Sequence, residues 1–319
     1  MVTVSQGFTE LADEFSLLAE TAAEAGAPEA QPRVRRGWVN VPAGGHVSGV
    51  IWGAGPPEVV FLHDTGESAR AWDTLVLALG RPAVAVDLPG HGRSDWRHDA
   101  RYEPGKLAAA VAEAIGSFAP RARLVVGTGL GGLTALAVRR KQPRRAPAIA
   151  LVNTIPGATP NRTRPGRGPE RFASQDEAFA VLAARHPEHG RAALRREILY
   201  ELVQDPDGMW VWRHHPGNLP AADPGPGAGP GTGPEGGLET GYDELAQLSI
   251  PVTLIVSGTA GPLTPAELPR LRQRAPHVSV VTISGAGRDI AATQPAALAA
   301  ALDHLLPADA GTGTDGSQS

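Results

Sequence analysis

The sequence predicts an α/β protein built on a mostly parallel sheet with helices on both faces. Two observations carry this prediction: strand-length apolar runs recur through the 319 residues, and stretches with helical periodicity separate them. Such alternation is typical of parallel strands joined by crossover helices. The predicted strands are Glu58–His63, Ala83–Asp87, Arg123–Gly127, Ala148–Asn153, Val252–Ser257 and Val278–Ile283. The predicted helices are Ala69–Leu79, Gly105–Ser117, Leu130–Arg140, Pro265–Arg274 and Gln294–Leu306.

Two further elements are predicted ahead of this alternation. Apolar residues at spacings of three and four between Phe8 and Ala25 predict a helix with one apolar face. Arg36–Trp52 is predicted to form a β-hairpin whose turn is Gly44-Gly45. The helix is expected to pack on its own domain, with a dimer or partner contact as the alternative.

The alternation stops between about Ile155 and Leu248, which predicts a helical cap inserted between two sheet strands. The insertion contains two predicted helices, Gln175–Arg185 and Gly190–Gln204, and then a run rich in proline and glycine. That run contains too few apolar residues to pack, so it is predicted to be a flexible linker. The resulting division is an N-terminal helix or tail (1–32), a first core segment (33–154), a cap (155–247) with its linker (216–241), a second core segment (248–308) and a disordered tail (309–319).

Composition favours a soluble cytoplasmic protein and excludes several kinds of site. No apolar run approaches the roughly 18 residues of a membrane span. A formal charge of −4 gives no sign of a nucleic-acid partner. The chain has no cysteine, which excludes disulfides and thiolate metal sites. We therefore expect no cofactor, no metal and no membrane partner, while the oligomeric state stays open.

A glycine-rich turn at Val125–Gly132 is the most informative motif of the chain. It lies between a predicted strand and a predicted helix, the setting in which a G-x-S-x-G motif presents a serine nucleophile above a parallel sheet. The position of that serine is occupied by Gly129. The same turn also satisfies G-x-G-x-x-G through Gly127, Gly129 and Gly132, which leaves dinucleotide binding as an alternative.

Three other stretches resemble the α/β-hydrolase superfamily: His63–Gly66, Asp87–Ser94 and Ser284–Arg288. They follow the predicted strands in the order that this family uses, so the resemblance implies an α/β-hydrolase fold with a cap. It also implies an oxyanion hole formed by the backbone amides of Thr65 and Leu130. Carried over by position, the serine of the family corresponds to Gly129 and its histidine to Arg288. The acid position corresponds to Asn153 or Ala260, so all three catalytic positions lack the expected residue.

From these vacant positions we predict a catalytically silent pseudohydrolase that binds a small ligand or a protein partner in the former active-site cleft. The alternatives are a non-hydrolytic enzyme (a lyase, cyclase or isomerase) and a weak hydrolase that uses the residual oxyanion pocket. Asp64 and Glu67 are candidate acid or base groups in that pocket. The predicted lining of the pocket is Asp64, Thr65, Leu130, Arg288, Trp210 and Trp212.

Overall fold

The computed structural model describes residues 13–27, 32–42, 45–158, 171–187, 189–216, 237–259, 261–263 and 266–307. The strands in chain order are β1 (Val34–Asn40), β2 (His46–Trp52), β3 (Val59–Leu62), β4 (Ala83–Val86), β5 (Leu124–Thr128), β6 (Ile149–Val152), β7 (Arg171–Phe172), β8 (Leu202–Gln204), β9 (Trp210–Trp212), β10 (Val252–Ser257) and β11 (Ser279–Ile283). The helices are α1 (Leu18–Glu24), α2 (Asp73–Leu79), α3 (Pro104–Phe118), α4 (Gly129–Lys141), α5 (Gln175–Arg185), α6 (Arg191–Glu201), α7 (Gly237–Ala246), α8 (Leu268–Arg274), α9 (Ile290–Thr293) and α10 (Pro295–Asp303).

The centre of the molecule is an eight-stranded sheet in the order β1-β2-β4-β3-β5-β6-β10-β11. Strand β2 is antiparallel to both of its neighbours, and the pairs from β4 through to β11 are parallel. Leu62 pairs with Gly127, and Gly127 pairs with Leu151. The carboxyl ends of β3, β5 and β6 are therefore level, and the loops that follow them meet at one edge of the sheet.

Separate apolar layers cover the two faces of this sheet. One layer contains buried residues of α3, α4 and α7, among them Leu107, Leu136 and Leu245. The other contains buried residues of α1, α2 and α10, among them Leu75 and Leu298. The predicted α/β class, with a mostly parallel sheet flanked by helices, is confirmed.

The elements differ from their predicted bounds in a few places. The helix predicted at Ala69–Leu79 opens with a 3₁₀ turn at Ala69–Trp72, and the helix predicted from Pro265 begins at Leu268. The predicted linker is wrong at its carboxyl end, where 237–241 belong to α7 because the following Tyr242 and Leu245 are buried in the core. Residues 1–12, Gly44, 217–236 and 308–319 lie outside the described residues, and with them most of the linker and the predicted tail.

The cap contains a small sheet as well as helices. Its strands pair antiparallel in the order β7-β9-β8 and pack with α5 and α6. The segment predicted as one helix, Gly190–Gln204, divides into α6 and the strand β8. Buried side chains give the cap its own apolar core: Phe172, Phe179, Leu182, Leu194, Ile198 and Trp212.

Candidate active site

The turn between β5 and α4 is a tight strand-to-helix elbow whose apex is Gly129. Its φ is +48°, a left-handed conformation that favours glycine. Gly127 and Gly131 are also required, because a Cβ on either one would collide with neighbouring backbone, that of Gly132 and of Leu62 respectively. The turn therefore brings the start of α4 close against the end of β3.

The carboxylate of Asp64 lies above this elbow and accepts hydrogen bonds from two backbone amides. Its Oδ1 is 2.8 Å from the amide nitrogen of Leu130 and 2.7 Å from that of Thr65. These are the two amides that the family resemblance assigns to an oxyanion hole. They converge on a single oxygen atom, and that atom belongs to the protein itself.

Gly129 and Asp64 are sterically coupled. A Cβ placed on Gly129 would overlap the carboxyl group of Asp64. A serine at position 129 and the observed side-chain position of Asp64 therefore exclude each other. The space in which a serine nucleophile would begin is filled by a carboxylate from the loop after β3.

The backbone of Asp64 is fixed by the residues on either side of it. Its amide donates to Oε2 of Glu67 at 3.0 Å, and its carbonyl oxygen lies 2.7 Å from Nδ1 of His63. Nε2 of His63 accepts from the amide of Leu88 at 2.9 Å, so the ring hydrogen is on Nδ1. Burial lowers the pKa of His63, which favours this neutral form.

Asn153 and Thr154 join the elbow to the last strands of the sheet. Oδ1 of Asn153 accepts from the amide of Ser257 at 2.8 Å, and Nδ2 donates to the carbonyl oxygen of Arg288 at 2.6 Å. Next along the chain, the hydroxyl of Thr154 accepts from the amide of Gly129 at 2.6 Å. The predicted acid position thus holds an amide that bridges two loops, a role that no local sequence pattern indicates.

The predicted site residues are brought together only in part. Gly129, Asn153 and the backbone of Arg288 meet at the carboxyl edge of the sheet, and the Arg288 side chain is exposed. Ala260 lies outside the described residues.

The two tryptophans predicted to line the pocket belong to the cap. Trp212 is buried there, with its ring centroid 5.6 Å from that of Phe172, and Trp210 packs against the same cluster. Their role in lining a ligand pocket stays a prediction.

The cap also contacts the rim of this edge. Nε2 of His189 lies 4.0 Å from Oδ2 of Asp289, beside Arg288. In a second contact, the hydroxyl of Ser68 donates to the carboxylate of Glu201 at the end of α6. Neither contact follows from the sequence, because each joins residues more than 90 positions apart.

Two further properties bear on the predicted partners. Within the described ranges, no group of three or more histidine, cysteine or acidic residues could hold a metal ion. In the same part of the chain, no helix is long and apolar enough to cross a bilayer. Cytoplasmic location and the identity of any ligand stay predictions.

Comparison with known proteins identifies the relatives of this chain. A model of the alpha/beta hydrolase family matches residues 59–301. The esterase Rv0045c of Mycobacterium tuberculosis is 35% identical over 301 residues, covering 90% of this chain and 93% of that protein. A refined structure of that esterase superposes with a TM-score of 0.78 and 31% identity, over 93% of this chain and 99% of the other. A pimeloyl-[acyl-carrier protein] methyl ester esterase of Sodalis glossinidius is 34% identical over 120 residues, 37% of this chain and 44% of that protein.

These comparisons overturn the predicted pseudohydrolase. A relative that is similar over nearly the whole chain is named an esterase, which points to hydrolase activity rather than a silent fold. That prediction inferred inactivity from three sequence positions, whereas in the fold the carboxylate of Asp64 fills the space above Gly129. The matched family range includes the glycine-rich turn, which favours an elbow over a dinucleotide fingerprint.

Proposed function

Since the chain belongs to the alpha/beta hydrolase family, we propose that it hydrolyses carboxylic esters with the carboxylate of Asp64 as its base. The observation that carries the proposal is the position of Asp64. One carboxylate oxygen accepts from the amides of Thr65 and Leu130, and the carboxyl group lies directly over Gly129. The esterase names of the relatives support the choice of reaction.

The proposed reaction does not pass through a serine ester at the elbow. Gly129 has no side chain, and Arg288 stands where the family places its histidine. A guanidinium remains protonated in proteins, so Arg288 cannot accept a proton. Asn153 is equally unsuited to the acid role, since its amide is engaged by Ser257 and Arg288.

The ester carbonyl oxygen takes the place of Asp64 Oδ1 on the two amides, and the displaced carboxylate turns toward a neighbouring water. That water attacks the carbonyl carbon while its proton passes to Asp64. The amides of Thr65 and Leu130 then stabilise the negative charge on the tetrahedral oxygen. Collapse breaks the bond to the alkoxy group, which leaves with the proton from Asp64, and the acid product departs.

This arrangement predicts a slow hydrolase. Asp64 must give up two hydrogen bonds to its charged carboxylate, each worth about 1.5–3 kcal/mol, before the substrate can use the amides. General-base catalysis contributes roughly 10²–10⁴ in rate. One oxyanion donor contributes roughly 10²–10³. Together, these effects predict a rate above that of uncatalysed hydrolysis but below that of an enzyme with a covalent nucleophile.

The test compares Asp64→Asn with the wild-type protein on p-nitrophenyl acetate. Asparagine keeps an acceptor oxygen for both amides but cannot take a proton from water, so we expect turnover to fall by about 10²-fold or more. Asp303→Asn, an exposed position at the end of α10, is the matched control and should retain full turnover.

A fluorophosphonate probe supplies the second measurement, because it labels activated serine nucleophiles. The proposal expects ester turnover without labelling. Stoichiometric labelling of the wild-type protein, or full activity in Asp64→Asn, would show that another group carries the reaction.

The same site favours one further candidate, a non-hydrolytic enzyme that removes a proton next to a carbonyl group. The carboxylate of Asp64 is placed to accept this proton, and the two amides stabilise an enolate oxygen as they do a tetrahedral one. Exchange of α-protons for deuterium in a bound ketone or thioester, without release of an acid product, would favour this candidate over ester hydrolysis.

A further inference from the structure

Thr154 links the apex of the elbow to the end of β6. Its hydroxyl accepts from the amide of Gly129 at 2.6 Å and donates to the carbonyl oxygen of Val152 at 2.7 Å. The residue is only 5% exposed. Its methyl group faces α4, since a Cβ on Gly132 would come 3.0 Å from Cγ2 of Thr154. The hydroxyl and the methyl group of Thr154 are therefore both in contact with the elbow.

The start of α4 depends on acceptors from other loops. The first amides of any helix lack partners within the helix. The N-cap residue, Thr128, makes no capping hydrogen bond with its side chain. The amide of Gly129 binds Thr154, and that of Leu130 binds Asp64. One of these acceptors follows β6 and the other follows β3.

Glycine at the apex makes these external contacts more important. Without a Cβ, Gly129 has access to more backbone conformations than a serine would have, and more entropy is lost when it is fixed. During ester hydrolysis as proposed above, Asp64 leaves the amide of Leu130. Thr154 then remains as the hydrogen-bond acceptor that fixes the apex.

We propose that Thr154 is a positioning residue for the amide of Leu130, which binds the ester carbonyl oxygen. This inference rests on the proposed function. Thr154 is itself held in place, because the preceding Asn153 is tied to Ser257 and to the carbonyl oxygen of Arg288. The two residues form a rigid connection from the last strands of the sheet to the apex.

The kinetic test compares Thr154→Val, which preserves the shape of the side chain, with Thr154→Ser, which preserves the hydroxyl. Because misplacing one oxyanion donor costs less than removing it, we expect kcat for p-nitrophenyl acetate to fall about 10-fold in Thr154→Val, with KM changed less than about 2-fold. Thr154→Ser should recover most of kcat. Thr134→Val on α4 is the control, because the buried Thr134 hydroxyl has no hydrogen-bond partner among the described residues.

A second measurement does not depend on activity. Amide hydrogen exchange followed by NMR should be about 10-fold faster at Gly129 and Leu130 in Thr154→Val than in the wild type or Thr154→Ser. Equal exchange in all three proteins, or an equal loss of kcat in both Thr154 variants, overturns the inference. Absence of ester turnover in the wild type refutes the proposed function, whereas the exchange rates still decide the role of Thr154 at the apex.

Discussion

The elbow and the junction between core and cap hold their charged groups by different means. At the elbow, the carboxylate of Asp64 is bound through the backbone amides of Thr65 and Leu130. At the junction, charged side chains bind one another. Backbone amides do not titrate, and only proline among the standard residues removes the amide hydrogen. The elbow should therefore respond less to salt than the junction, where both partners of each contact are charged.

The junction is built around the N-terminal segment that contains α1. Arg36 lies between Glu14 and the fully buried Asp87, at 2.7 Å from each carboxylate. On the cap side, Arg196 of α6 binds Glu20 at 2.9 Å and also pairs with Glu24.

Arg70 extends the same junction. It pairs with Asp73 at 2.7 Å and lies over the rings of Phe15 and Tyr200. The segment from Asp13 to Glu24 thus contacts both the core and the cap.

Removal of Arg36 should cause the largest loss of stability. Arg36→Leu leaves Asp87 charged, buried and without its cation, and breaking such a buried pair costs roughly 3–5 kcal/mol. Urea unfolding should show this loss. Arg101→Leu is the control, because the pair of Arg101 with Glu103 is exposed and screened by solvent, and it contributes little to stability. Equal losses of unfolding free energy in the two variants would contradict the distinction between buried and exposed ion pairs.

The second prediction concerns pH. Burial raises the pKa of Asp73 to about 6, even though the charge of Arg70 acts to lower it. Because the folded-state pKa lies above the unfolded one, this group costs stability as pH rises from about 4 to 6. Relative to wild type, Asp73→Asn should therefore gain about 2 kcal/mol between pH 4 and pH 6, and about 3 kcal/mol in total once the pH is well above 6.

Chemical denaturation at several pH values measures this difference. Asp243→Asn, exposed on α7, provides the reference curve. A stability difference between Asp73→Asn and wild type that stays constant from pH 4 to pH 7 would refute the assignment.

The third substitution is made at the apex of the elbow. Gly129→Ser places a Cβ where Asp64 lies and puts a side chain at a positive φ, so it should destabilise by about 1–3 kcal/mol from strain alone. In an Asp64→Gly background the overlap disappears and only the strain remains. A double-mutant cycle should give a coupling of about 2 kcal/mol between the two positions. Additive effects would show that Asp64 does not occupy the apex in solution.

The smallest effect is expected at the rim of the junction. Glu20 and Glu24 are 41% and 37% exposed at their side chains, so their pairing with Arg196 is partly screened. Arg196→Gln should cost about 1 kcal/mol, and the loss should shrink in high salt. Limited proteolysis should cut the cap faster in this variant at low salt. Cleavage at the wild-type rate would mean that α1 does not hold the cap.

Much of the fold followed from local sequence signals. The strand Val252–Ser257 and the helix Gln175–Arg185 have the bounds that the sequence predicts. The helix begins after Ser174, whose hydroxyl accepts from the amide of Glu177. Hydrophobic periodicity and helix capping depend on residues a few positions apart, so both can be recognised in a single sequence. The small sheet of the cap was missed because β7 and β9 pair across nearly 40 positions of the chain.

The candidate site was predictable only as a location. A strand, a glycine-rich turn and a helix pointed to the elbow, and Gly129 is its apex. The interaction between Asp64 and Leu130 joins residues 66 positions apart, and no local pattern encodes it. From the sequence, position 153 was predicted to be the acid position, yet it holds an asparagine. In the fold, the side-chain amide of Asn153 uses its oxygen as an acceptor and its nitrogen as a donor. An aspartate there would place a second acceptor against the carbonyl oxygen of Arg288.

The exclusion between Gly129 and Asp64 also restricts how such a site can arise. A side chain at the apex and this carboxylate cannot occupy the same space. Evolution between a serine at position 129 and the present arrangement must pass through a glycine at that position or through an Asp64 whose side chain is turned away from it. The order of the two substitutions therefore decides whether the side chain of Asp64 must first turn away. If the apex loses its side chain first, the vacated space exists before the carboxylate enters it, and no intermediate carries a clash.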